Sequence, residues 1–267
     1  MGRKGDLIII GGAEDKHGRS RILEEVVRAI GSEDARICII TTATQYPEEV
    51  GREYRDVFRR LGVEETDVLN IDSRDAANDD ENYRRIKDAT GVFFTGGDQL
   101  RITSVLGGTR TFDALQDSFT SGTVIIGTSA GASVMSSTMI VDGNSNDAAR
   151  KCTLKMAPGL NLIDGVIIDQ HFDQRGRLGR LLCGVAENPG ILGIGIDEDT
   201  AIRVYPDDYF EVIGTNAVTV IDGSTIKNSN VSESRPNEIL TIANACLHVL
   251  ASGYVFDFNR REVINLH

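Results

Sequence analysis

The sequence predicts an α/β protein with a mostly parallel sheet flanked by helices on both faces and antiparallel strands added in the C-terminal part. Three observations carry this. The strands of the first half are short continuous apolar runs, as strands buried on both faces are, rather than alternating ones. Each alternates with a stretch of helical periodicity, which means a parallel sheet covered on both sides. After Ala201 the pattern changes to strand–turn–strand.

Leu7–Ile10 is fully apolar and closes on Gly11-Gly12, a buried strand feeding a loop. Residues 18–30 carry Ile22, Leu23, Val26, Val27 and Ile30, the stripe of an amphipathic helix. Arg36–Thr41 is the second strand, Glu48–Leu61 a charged helix, and a third strand lies near Asp67–Ile71. The acidic stretch Asp75–Asp88 reads as a helix with a frayed start. Gly91–Thr95 is the fourth strand, ending at Gly96-Gly97-Asp98-Gln99, and helical sequence follows to about Ser121. The β-branched run from Thr123 is the next strand. Beyond it, Val166–Ile168 is a strand, Leu178–Glu187 a helix and Ile191–Ile196 a strand. Ala201–Tyr205, Tyr209–Ile213, Ala217–Ile221 and Cys246–Leu250 read as antiparallel strands extending the same sheet, with turns at Asp207-Asp208 and Asp222-Gly223. Asn228–Asn237 is the one clear flexible loop. No Pro-, Gly- or Ser-rich linker divides the 267 residues, so residues 1–267 are expected to form one domain.

Composition is that of an ordinary globular chain, 40% hydrophobic and 25% charged. The net charge of −12 leaves no basic excess to neutralise phosphates, so no nucleic-acid partner is expected. The four cysteines are scattered with no metal or redox spacing, which fits a reducing cytoplasm; Cys38 and Cys246 read as small core residues. Met1-Gly2-Arg3-Lys4-Gly5-Asp6 leads into an apolar stretch too short for a signal peptide, and no run is long enough to span a membrane.

The chemistry gathers at Gly127-Thr128-Ser129-Ala130-Gly131. An apolar strand ends there, small residues follow, and only Gly or Ala fits on either side of so sharp a turn. This is the strand–turn–helix context of a nucleophile elbow, which exposes a serine hydroxyl at the carboxyl end of a sheet. The helix start is expected to offer free N–H groups and a positive dipole end to a developing oxyanion. A serine nucleophile needs a base, and there are four histidines. His267 is terminal, His17 lies in a loop and His248 lies inside a strand. His171 follows a strand end in Asp169-Gln170-His171-Phe172, where sites of parallel sheets assemble. The acid that orients His171 is expected from Asp197-Glu198-Asp199 at another strand end, and spacing alone leaves all three open. The order serine, histidine, acid differs from that of α/β-hydrolases; restoring that order would make His248 the base. Ala130 and the Gly96-Gly97-Asp98 loop are the expected oxyanion donors, and Asp98 is also a natural helix cap. Arg175, Arg177 and Arg180 stand beside His171, either as a carboxylate-recognition cluster or as a solvated helix face.

Together, Gly96-Gly97-Asp98-Gln99, Gly127-Thr128-Ser129-Ala130-Gly131-Ala132, Asp169-Gln170-His171-Phe172 and the run from Arg175 to Arg180 resemble the cyanophycinase family of aspartyl dipeptidase-like serine peptidases. The resemblance extends from Gly11-Gly12 to Tyr254–Phe258. It implies a class I glutamine amidotransferase-like fold, Ser129 as nucleophile, His171 as base and Glu198 as acid, and it places Gln99, Asp169, Gln170, Arg175, Arg177 and Arg180 around the pocket. It further implies an exopeptidase that needs no metal or other cofactor, forms a homodimer and takes cyanophycin, a poly-aspartate bearing arginine on its side-chain carboxyls, to β-Asp-Arg dipeptides. Two alternatives accompany this reading: an aspartyl or isoaspartyl dipeptidase of the same fold, and a catalytically dead amidotransferase-like binding domain.

Overall fold

The computed structural model describes residues 4–264. In chain order the elements are β1 (Leu7–Ile10), α1 (Arg21–Ala29), β2 (Arg36–Ile40), α2 (Pro47–Arg60), β3 (Glu65–Leu69), α3 (Asp80–Asp88), β4 (Gly91–Phe94), α4 (Gln99–Leu106), α5 (Arg110–Thr120), β5 (Val124–Thr128) and α6 (Ala130–Ser133). Then come β6 (Thr138–Gly143), β7 (Leu154–Pro158), β8 (Val166–Gln170), α7 (Leu178–Glu187), β9 (Leu192–Ile196), β10 (Thr200–Tyr205), β11 (Tyr209–Gly214), β12 (Val218–Asp222), β13 (Asn228–Ser229), β14 (Ile242–Ala243), β15 (Cys246–Leu250), β16 (Val255–Asp257) and β17 (Glu262–Ile264).

Among the described residues the main sheet has nine strands in the order β17-β16-β11-β10-β1-β5-β4-β2-β3. From β1 to β3 every pairing is parallel; from β10 outward every pairing is antiparallel. The alternation of the pleat divides the apolar runs between two layers. Ile8 and Ile10 of β1, with Phe93 and Ile126, pack against Leu23 and Val26 of α1 and Tyr54 and Phe58 of α2. Leu7 and Ile9, with Phe94 and Ile125, pack on the other face against α3, α5 and a second sheet. Phe58 and Phe93 meet edge to face at 5.5 Å, and each fully buried ring contributes ~1.5–3 kcal/mol.

The second sheet corrects the expectation that the C-terminal strands all extend the first. Its order is β15-β12-β9-β8. Strands β8 and β9 are parallel, and β12 runs antiparallel to β9 and to β15. Only β10, β11, β16 and β17 continue the main sheet. A buried apolar run specifies a strand but not which sheet receives it, and the Gly214–Asn216 turn sends β12 across. Ile168, Ile194 and Val220 of the second sheet join the same core cluster as Ile9 and Phe94 of the first. The helical run after Gln99 is broken at Gly107-Gly108 into α4 and α5. The segment Asn228–Asn237 begins in β13, which pairs with β14, so it is not loop throughout.

Candidate active site

The elbow forms as its residue sizes require. Gly127 and Gly131 let strand and helix close on each other: a Cβ at Gly127 would lie 2.3 Å from the Gly131 carbonyl oxygen, and one at Gly131 would lie 2.5 Å from that of Phe94. Between them Ser129 takes φ 54°, ψ −110°, a conformation that a non-glycine residue adopts only when its surroundings impose it. The helix behind it is a single turn, so isolated amide groups, rather than the macrodipole expected from the sequence, are what it offers.

Three chain segments meet at this apex. Ser129 Oγ lies 3.0 Å from His171 Nε2, and His171 Nδ1 lies 2.6 Å from Glu198 Oε1. A carboxylate only accepts, so Nδ1 carries the proton and Nε2 is left to accept from the serine hydroxyl. The two aspartates beside Glu198 face elsewhere. Asp197 accepts from the backbone N–H groups of Asp173 and Ala217, and Asp199 from that of Asp15 and from the Thr215 hydroxyl. The Gln174 side chain accepts from the Glu198 N–H at 2.9 Å. Gln174 carries no sequence pattern that would have singled it out.

The backbone carries the same convergence. The N–H groups of Ser129, His171 and Asp199 donate to the carbonyls of Ile10, Gly11 and Gly12 at 3.0, 2.8 and 2.9 Å. Gly12 has φ +101°, and a Cβ there would sit 2.4 Å from His171 Cε1 and 2.6 Å from Nε2. Gly11-Gly12 was legible in the sequence as a loop after the first strand, but not as the seat of the imidazole.

His171 is buried. Burial is the main cause that lowers its pKa below the ordinary 6.5; Arg175 and Arg177 add to this, and the Glu198 hydrogen bond and charge oppose it. Of the other histidines, His17 is exposed with its N–H on Asp15, and His248 is on β15 with its ring 5.3 Å from that of Phe256. His267 lies outside the described residues.

Among the described residues the Gly97 and Ala130 amides have no hydrogen-bond acceptor. The Asp98 amide does not belong with them, because it donates to the Ala43 carbonyl at 3.0 Å. Its side chain caps α4 by accepting from the Leu100 N–H at 2.8 Å. Gln99 is engaged by its amide nitrogen, which donates to the carbonyls of Ile140 and Val141.

The arginine cluster follows neither sequence expectation as a whole. Asp169, 1% exposed, takes both arginines that follow on the next elements. Arg180 grips it with two nitrogens, Nε at 2.6 Å from Oδ2 and Nη2 at 2.5 Å from Oδ1, and Arg177 Nη1 lies 3.2 Å from Oδ1. Arg177 Nη1 also donates to the Gln170 carbonyl. Arg180 and Asp169 therefore hold each other in a fixed geometry. One carboxylate balances only one of two guanidinium groups, so the cluster keeps a positive surplus. Burial, only partly offset by Asp169, brings the Arg177 pKa down to about 10, so it stays charged at neutral pH. Arg177 Nε and Gln170 Oε1 are buried with no hydrogen-bond partner among the described residues. Arg175 is exposed.

Among the described residues no three His, Cys, Asp or Glu side chains gather where they could hold a metal ion. No helix there is long and apolar enough to cross a membrane.

The model of peptidase family S51 matches residues 7–213. A cyanophycinase of Synechococcus elongatus is 38% identical over 263 residues, covering 98% of this chain and 82% of that protein. One of Trichormus variabilis is 39% identical over 260 residues, covering 97% and 87%. The fold is shared with the crystal structure of a peptidase from an acI-B1 Actinobacterium, with a TM-score of 0.64 at 22% identity over 91% of this chain and 96% of that one.

Proposed function

The chain belongs to peptidase family S51, and from that premise we propose that it is a serine-type exopeptidase releasing β-Asp-Arg dipeptides from cyanophycin through an acyl-enzyme on Ser129. One observation supports this above the others: the unbroken chain of contacts from the Ser129 hydroxyl through both nitrogens of His171 to Glu198.

Ser129 Oγ attacks the carbonyl carbon of a peptide bond in the aspartate backbone while its proton passes to His171 Nε2. Glu198 accepts from Nδ1–H, keeps the ring in the correct tautomer and stabilises the imidazolium. The Gly97 and Ala130 amides donate to the developing oxyanion. The carbon–nitrogen bond breaks as the imidazolium protonates the leaving nitrogen, and a serine ester remains. A water that loses its proton to His171 then attacks the ester carbon. The acid is released and Oγ recovers its proton.

The charge surplus of the arginine cluster fits a substrate with a free carboxylate at each repeat, and in this reading Arg175, Arg177, Gln99 and Gln170 face it. The protein acts as one peptidase domain over residues 1–267, in the cytoplasm, as a homodimer without nucleic acid. The test is release of β-Asp-Arg from insoluble cyanophycin, with Asp-X dipeptides and plain poly-aspartate as poor substrates. Ser129→Ala should lose on the order of 10⁶ in kcat and all labelling by a serine-directed phosphonate. Cleavage of Asp-X dipeptides with no release from cyanophycin would make it a dipeptidase, and an active Ser129→Ala would remove the elbow from the mechanism.

A further inference from the structure

A second carboxylate lies beneath the elbow, and the mechanism above does not use it. Glu14 is 4% exposed, on the loop that follows β1. Its Oε1 accepts from the Tyr54 hydroxyl at 2.5 Å and its Oε2 from the Thr128 hydroxyl at 2.7 Å. Among the described residues no ion pair reaches it. Lys16 lies 4.3 Å over the Tyr54 ring and pairs instead with Glu53, at 2.9 Å. Burying a carboxylate without a cation costs more than a well-packed apolar side chain of similar volume would, so stability alone does not account for it.

What Glu14 holds is informative. Thr128 is the last residue of β5 and immediately precedes the nucleophile. Its backbone is in register with Ile10 of β1, but the pairing of β5 with β4 ends one residue earlier, at Phe94 and Gly127. Thr128 therefore has a ladder on one side only, just where the next residue must be kept at φ 54°. A strained conformation persists only when its flanks are fixed, and the Glu14 bond supplies the missing restraint. Tyr54, on α2, orients Glu14 from the other side. Burial, and then the Glu14 charge itself, push the phenol's pKa well above its ordinary value, so the hydroxyl remains a donor.

We infer that Glu14 is a positioning residue for the nucleophile: through Thr128 it holds the Ser129 hydroxyl in line with His171, with Tyr54 fixing the carboxylate in turn. The inference rests on the reading of Ser129 as nucleophile, and the test separates the two. Thr128→Val removes one hydroxyl while keeping the side-chain shape, Thr128→Ser restores it, and Glu14→Gln keeps the shape of the acid without its charge. Each is measured for kcat and KM on cyanophycin, for the rate of phosphonate labelling of Ser129 followed by mass, and for thermal stability. A hydroxyl displaced by a fraction of an ångström should lower kcat and the labelling rate together by about 10- to 100-fold, with KM little changed. Thr128→Ser should recover most of the loss. The Glu14→Gln/Thr128→Val double variant should be no worse than Thr128→Val alone, because both remove one interaction. Wild-type kcat and labelling in a Thr128→Val that has lost only stability, or a rise in KM at constant kcat, overturns the inference. A wild type that takes no label at Ser129 overturns the nucleophile reading instead.

Discussion

Gly12→Ala is the sharpest perturbation of the base. The new methyl would lie 2.4 Å from His171 Cε1, where carbon atoms at rest stand ~3.5–4.0 Å apart, so the ring must retreat by about 1 Å. That retreat draws on contacts of 3.0 Å to Ser129 and 2.6 Å to Glu198, neither of which has slack. A misplacement of about 1 Å at the reacting atoms costs on the order of 10² in rate, or ~2.7 kcal/mol of barrier. Separately, holding alanine at φ +101° costs ~1–2 kcal/mol of stability, a fall of ~2–8 °C in Tm for a chain of this size. The two effects are separable, because Gly62 has φ +93° and open space where its Cβ would lie. Gly62→Ala should therefore lower Tm by a similar amount and leave kcat alone, whereas Gly12→Ala should lower both. The assay is steady-state release of dipeptide from cyanophycin beside a thermal melt. A Gly12→Ala enzyme with wild-type kcat, or one whose loss Gly62→Ala matches, would refute the argument that the missing side chain seats the imidazole.

The remaining predictions concern charge. His171 is the base only when neutral, and its pKa lies below 6.5, so kcat/KM should rise with pH through a single ionisation on the acid side of an ordinary histidine and then level off. The same sign holds for stability: the folded state binds this proton less tightly than the unfolded chain, so the contribution is complete above 6.5 and is lost as pH falls through the lower folded value. Glu198→Gln should lower kcat by on the order of 10³–10⁴ with little change in Tm, while His248→Ala should be nearly silent in kcat. Arg180→Ala leaves the buried Asp169 carboxylate to the single longer contact with Arg177 and should cost up to ~3–5 kcal/mol of stability, read as a depressed Tm. Arg175→Ala should leave Tm alone and lower kcat/KM, and the reverse pattern in these two variants would show that the wrong arginine has been assigned to substrate.

How far the sequence reaches can be judged residue by residue. Strands β1, β2, β4 and β5 and helix α7 were legible because continuous apolar runs and a 3.6-residue stripe are local properties of the chain; β3, only half covered and without such a run, lies at Glu65–Leu69, shifted from the expected Asp67–Ile71. The hairpin of β6 and β7 was not, because most of its residues are only partly covered and a bulge between Ile140 and Asp142 breaks the alternation. Ser129 and His171 could be picked out by position at strand ends. Glu198 could not be told from Asp197 and Asp199 by spacing, since what separates the three is where backbone N–H groups from residues 15, 173 and 217 happen to fall. That Arg177 and Arg180 are buried on Asp169 was not legible, because Asp169 sits at the end of a strand that only the tertiary fold brings against α7.

Three consecutive carbonyls, those of Ile10, Gly11 and Gly12, receive the amides of Ser129, His171 and Asp199. This couples in time what is scattered along the chain. Each of these amides is tied to the end of β1, and β1 lies inside the sheet between β5 and β10. Native-state hydrogen exchange should therefore find one shared opening free energy for the three amides, close to that of the β1 core and well above that of the exposed turns. The same geometry orders biosynthesis. β1 leaves the ribosome before the three segments that donate to it and waits with these acceptors empty until residue 199 has followed, so nascent chains halted short of that point should take no phosphonate label however compact they have become.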